Sequence, residues 1–192
     1  MTTLLLGVEH VQGQVTVYRS LDALLAENGQ IHEDGRLLKT KGVCSRQVTI
    51  DDGKGNELVL SMEDCFAFVI KDIFYRWDSD SGVPVCLVQA GKVFSWQNGP
   101  AQLMMQLTNT TSATAMCGAQ AYFSDRLDGE LIPVVGNGTG GIAPGKQERK
   151  LQAWFAARPH YKPLLDCLTN DRHYITVRHC AQLFNEGKTG KE

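Results

Sequence analysis

The sequence predicts an α+β fold built on a mainly antiparallel sheet. Three observations predict it. Short alternating or β-branched runs recur in pairs joined by Gly, Asp and Asn, the pattern of hairpins. Helical segments are few and do not alternate regularly with strands, so a doubly wound parallel sheet lacks its crossovers. One long apolar stretch, 61–77, reads as a central hydrophobic helix for the hairpins to pack around. A chain of 192 residues, 43% hydrophobic and 21% charged, can bury such a core. Residues 1–187 read as one domain and 188–192 as a frayed tail.

In chain order, 3–8 and 14–19 read as strands, the second because Val15, Thr16, Val17 and Tyr18 favour extended backbone. Ser20 caps a short helix over 21–27 that closes at Asn28-Gly29. Residues 30–35 form a polar stretch. Residues 46–50 and 57–60 flank an Asp/Gly/Asn cluster and form a hairpin. Ser61 then caps the predicted core helix, with Glu63 and Asp64 in its first turn. Its stripe is Cys65, Phe66, Phe68, Val69, Ile70, Ile73, Phe74 and Trp77.

Residues 78–82 are a loop, and 83–89 with 92–96 make a second hairpin turning at Ala90-Gly91. Residues 101–108 and 115–123 fit either strand or helix, and 108–114 is polar without an apolar face. A strand over 131–135 leads through a glycine-rich loop to a helix over 146–157 that stops before Pro159. One helical turn over 163–168, an alternating strand over 173–179 and a short helix over 181–186 complete the chain.

Composition excludes some classes. No apolar run reaches the roughly 18 residues of a membrane span, and the N-terminal run lacks the basic flank of a signal peptide. Six cysteines stand apart with no Cys-x-x-Cys pair. The expectation is a soluble cytoplasmic protein with reduced thiols. The net charge of −2 is unevenly spread. Residues 1–139 hold ten basic and sixteen acidic side chains, and 140–192 hold nine and five. A basic final quarter can attract a polyanion.

The one segment with specific chemistry is 130–158, a strand, a glycine-rich loop and a helix start. Gly140 to Lys146 matches the first seven positions of the phosphate-binding loop, but Gln147 stands where magnesium would need Ser or Thr. Pro144 also removes a backbone donor from the cradle. A nucleotide hydrolase is therefore rejected. A looser anion site survives: Gly138, Gly140 and Gly141 allow close backbone approach, and Lys146, Arg149 and Lys150 place cations where they oppose the helix dipole. Beyond it, Arg158, Lys162, Arg172, Tyr174 and Arg178 mix cations with rings in the manner of a nucleic-acid contact surface.

His160, His173 and His179 gather with Cys167 and Cys180 in the last third. On one strand, His173 and His179 would stand about 20 Å apart, too far for one metal. No metal, cofactor or catalytic residue is assigned. The sequence thus predicts a binding module for a phosphate-bearing partner, including nucleic acid. The alternatives are a protein that self-associates through sheet edges and the segment 108–114, or an enzyme on a small metabolite.

Overall fold

The computed structural model describes residues 13–40, 46–99, 119–136, 144–168 and 173–188. The predicted strand over 3–8, the ambiguous segment 101–108, the polar segment 108–114 and most of the glycine-rich loop lie outside them.

The described residues form two antiparallel sheets and a set of helices, as an α+β chain built from short hairpins should. The strands are β1 (Val15–Tyr18), β2 (Gln30–His32), β3 (Arg36–Thr40), β4 (Gln47–Asp51), β5 (Glu57–Ser61), β6 (Ala67–Ile70), β7 (Ile73–Trp77), β8 (Pro84–Gln89), β9 (Phe94–Asn98), β10 (Ala119–Ser124) and β11 (Ile132–Gly136). The helices are α1 (Leu21–Leu25), α2 (Pro144–Ala156), α3 (Lys162–Cys167) and α4 (Tyr174–Asn185), with a 3-10 turn over Pro159–Tyr161. The large sheet runs β11-β10-β9-β8-β7-β6-β1-β2, and β3-β4-β5 form the small one.

Register shows how the layers share the large sheet. Tyr75 pairs Cys86, Cys86 pairs Gln97, and Gln97 pairs Ala121, so these four form one row on one face. At one end of that face Phe68, Tyr75 and Trp77 meet Val48, Ile50 and Leu60 of the small sheet. At the other end Ala121, Phe123, Ile132 and Val134 meet Leu151, Trp154, Leu164 and Val177 of the helices. The opposite face carries Trp96, Tyr122, Val85 and Phe74, with Leu24 of α1 beside them.

The expected central helix over 61–77 does not form. Its residues make the hairpin β6–β7, with Ala67 opposite Arg76 and Ile70 opposite Ile73. All four residues of β6 and four of the five in β7 are buried. Apolar residues on both faces erase the two-residue period and imitate a helical stripe. The turn rests on Lys71 and Asp72 at φ 50 and 60, left-handed positions with no glycine to announce them. Ser61 does accept from Glu63 N, but it opens a single turn rather than a helix.

The predicted strand over 173–179 is likewise corrected to the first half of α4, which absorbs the short helix expected over 181–186. Its true period is Val177, Cys180, Ala181 and Phe184, all packed in the core beneath α4. His173 is the N-cap and accepts from Ile175 N. The polar stretch 30–35 also supplies β2, which pairs antiparallel with β1.

Reduced thiols are corrected at one pair: Cys167 and Cys180 form a disulfide tying α3 to α4. Two further contacts seat the helices. Asn185 accepts from Val93 N at 2.9 Å and donates to Val93 O at 3.0 Å. The Tyr161 hydroxyl donates to Lys92 O at 2.8 Å.

Candidate functional site

The cations singled out by sequence meet different fates. Gly138, Gly140, Gly141 and Arg172 lie outside the described residues. Lys146, in the first turn of α2, and Arg149, in the second beside Glu148, are exposed and carry no ion pair among the described residues; the first turn holds no acidic residue. Gln147 turns inward and is buried, away from any ligand at the helix start.

Lys150 is engaged by the protein itself, at 2.9 Å from Asp80 and 3.0 Å from Glu130. Burial pulls its pKa down, but the two carboxylates outweigh that and leave it raised. Arg158 donates through Nε and Nη2 to one Asp125 oxygen, at 3.0 and 2.7 Å, and lies 5.0 Å over the Trp154 ring. Lys162 pairs with Asp166 one helical turn on, at 2.9 Å. Tyr174 and Arg178 are exposed one turn apart on α4, not on a sheet face.

The histidines do not converge on a metal site. His160, His173 and His179 are exposed, and the disulfide consumes the two neighbouring thiols. Among the described residues no group of three His, Cys, Asp or Glu side chains is placed to hold a metal.

A different cation stands in a cavity. Arg76 lies near the end of β7, 5% exposed, in a row of otherwise apolar residues. Its Nη2 donates to Gly129 O, and its guanidinium carbon sits 4.6 Å above the Trp96 ring. Its Nε is buried without a partner, and among the described residues no carboxylate forms an ion pair with it. Burial draws Arg76 down to about 10, opposed by Asp128 and Asp78, so it remains a cation at neutral pH.

The cavity measures about 290 Å³ and is lined by three segments that the sheet brings together. The turn before β6 contributes Met62, Cys65 and Phe66. The end of β7 and the loop after it contribute Arg76, Trp77 and Ser79. The loop between β10 and β11 contributes Asp128, Gly129, Glu130 and Leu131.

Each wall has its own support. Ser61 Oγ donates to Asp64 at 2.6 Å, and Cys65 N donates to Ser61 O, which fixes the first turn. Asp78 is buried and accepts from Ser81 Oγ and Asp80 N, which shapes the second; burial raises its pKa. Trp96 Nε1 donates to Ser124 Oγ at 2.8 Å, and that hydroxyl donates to Arg126 O, which anchors the third. Lys150 joins the second and third loops from outside by holding Asp80 and Glu130 together.

No protein family, curated protein or solved structure matches the chain. The site is therefore read from its own chemistry. Burial pushes the Cys65 thiol up to about 11, against a smaller opposing pull from the Trp77 indole N–H, and the Cys86 thiol up to about 12. Both are protonated at neutral pH, which leaves little thiolate for nucleophilic chemistry. What the cavity offers is a fixed positive charge, apolar walls and two carboxylates, the equipment of a binding site.

Sequence reasoning missed Arg76 because it sat inside the stretch read as a helix. One signal was present: a single charge in Ile73-Phe74-Tyr75-Arg76-Trp77 must be buried if the run is a central strand.

Proposed function

We propose that the protein is a binding module for an anionic ligand, and that Arg76 receives the anion. The observation that supports it is a buried guanidinium lining a cavity, with no carboxylate paired to it among the described residues. Burying a charge is costly, Asp128 and Asp78 act on Arg76 without closing an ion pair, and an anion in the cavity offsets the remaining cost. Arginine suits the task because it stays charged and presents a planar array of donors. The apolar lining of Met62, Phe66, Trp77 and Leu131 favours an anion with an apolar body.

The test is calorimetric titration with 4-methylpentanoate, a small carboxylate with an apolar tail. Arg76→Gln removes the charge, and Met62→Trp crowds the cavity from a half-exposed position outside the core. Both variants are expected to weaken binding at least about tenfold, the share of one charge-assisted hydrogen bond or of one filled apolar subsite. Equal affinity in the wild type and both variants overturns the reading.

A second reading keeps the phosphate-bearing partner, nucleic acid included, at the opening of α2. It is favoured by the exposed Lys146 and Arg149, which have no ion pair among the described residues, and by a first helical turn without an acidic residue. Replacing Lys146 and Arg149 by Ala should flatten the salt dependence of oligonucleotide binding; an unchanged slope removes the site. Among the described residues no helix is long and apolar enough to cross a membrane. A cytoplasmic placement belongs to the proposal, and it requires Cys167 and Cys180 to stay paired against the cell's thiols. Trapping free thiols in living cells decides that point.

A further inference from the structure

Resting on the reading of Arg76 as the anion receptor, we infer that the cavity takes a small zwitterion: a single apolar amino acid, or a close analogue bearing an ammonium beside its carboxylate. The lining sets the argument. It holds one cation, Arg76, and two carboxylates, Asp128 and Glu130. A plain anion, and a phosphate dianion more so, would gain Arg76 and meet two carboxylates whose own partners, Arg126 and Lys150, stand outside the lining. A ligand carrying both signs meets complementary charge on both sides.

Arg76 and Asp128 feel each other electrostatically, yet no ion pair closes between them. Asp128 turns instead to the exposed Arg126, at 3.3 Å, and Glu130 to Lys150. Cation and acid thus stand around one space without neutralising each other. That arrangement suits a carboxylate at Arg76 and an ammonium at Asp128 in one molecule. The volume of about 290 Å³ lies at the small end of ligand pockets, which suits a ligand of amino-acid size. Met62, Phe66 and Leu131 give the side chain an apolar wall.

The experiment is titration of the full chain with four probes: L-leucine, 4-methylpentanoate, L-leucinamide and inorganic phosphate. Leucine is expected to bind about tenfold or more tightly than 4-methylpentanoate, the ratio expected of one charge-assisted hydrogen bond from the ammonium. Leucinamide, which lacks the carboxylate, should bind more weakly than leucine by a similar factor. Asp128→Asn should narrow the preference of leucine over 4-methylpentanoate, and a thermal melt checks that this variant is folded. If 4-methylpentanoate or phosphate binds as tightly as leucine, the zwitterion is overturned while Arg76 as an anion receptor stands. If none of the four binds at millimolar concentration, both readings fall.

Discussion

The basic final quarter and the single arginine of β7 make opposite uses of positive charge. The final quarter holds nine basic residues, yet Lys150, Arg158, Lys162 and Lys188 are each matched by an acid of the same chain. Most of those acids are themselves well exposed, so water and salt screen the pairs. Arg76 is one charge in the acidic first 139 residues. Burial, and the lack of a paired carboxylate among the described residues, make it the more consequential cation. The lesson is that counting charges along a chain measures supply, while the unmet demand for a partner is set by where each charge is folded.

The largest expected effect comes from breaking the buried side of this contrast. Arg76→Ala strips the stacking on Trp96 and the donor to Gly129 O, and enlarges the cavity. It should cost about 3 kcal/mol of stability, read as a shifted denaturant midpoint, and abolish anion binding. A cost under about 0.5 kcal/mol, the surface norm, would erase the distinction between the two regions.

Arg158→Ala should come next, at about 1 kcal/mol. Its pair with Asp125 is about one-third exposed on each side, so screening discounts the ion pair and much of the loss is packing on Trp154. Lys150→Met sharpens the comparison differently. Stability should change by less than about 1 kcal/mol because Asp80 and Glu130 are more than half exposed. Hydrogen exchange should nevertheless quicken in the two cavity loops that Lys150 joins, and unchanged exchange there refutes its bracing role. Lys162→Ala, an exposed one-turn pair, should change stability by only about 0.3 kcal/mol.

The smallest effect is an acid-side check on an exposed carboxylate. Asp52 is held at about 2, first by the Asn56 side chain and then by the backbone N–H groups of Asn56 and Lys54. A carboxylate with a depressed folded value stabilises fully above its unfolded pKa near 3.8 and loses that contribution as pH falls toward 2. Carboxyl titration by NMR should place its midpoint near 2; a midpoint near 4 shows that the loop does not hold it.

Legibility followed how each segment is covered. The hairpin β4–β5 was readable because its loop carries Asp51, Asp52, Gly53 and Gly55, and Gly53 adopts φ +80. Ser20 was readable as a cap because its side chain accepts from Ala23 N three residues on. The helix α2 was readable from its amphipathic run and the proline that follows it. The hairpin β6–β7 was not, since both of its faces are buried and its turn uses Lys71 and Asp72. The first half of α4 was not, because residues 173–179 alternate by chance and the helical period appears only when Val177 is read with Cys180, Ala181 and Phe184.

By itself the sequence determined the α+β class, the hairpin habit and the excess of basic charge after residue 140. These are local or additive properties, carried by turn chemistry, short-range periodicity and composition. Only the tertiary structure decided that Arg76 is interior, that Cys167 meets Cys180, and that Lys150 is already engaged. Each of these depends on residues far apart in the chain, Lys150 reaching Asp80 and Arg76 reaching Gly129. A single chain read residue by residue carries no record of such encounters, because their energy comes from packing and desolvation after the layers have closed.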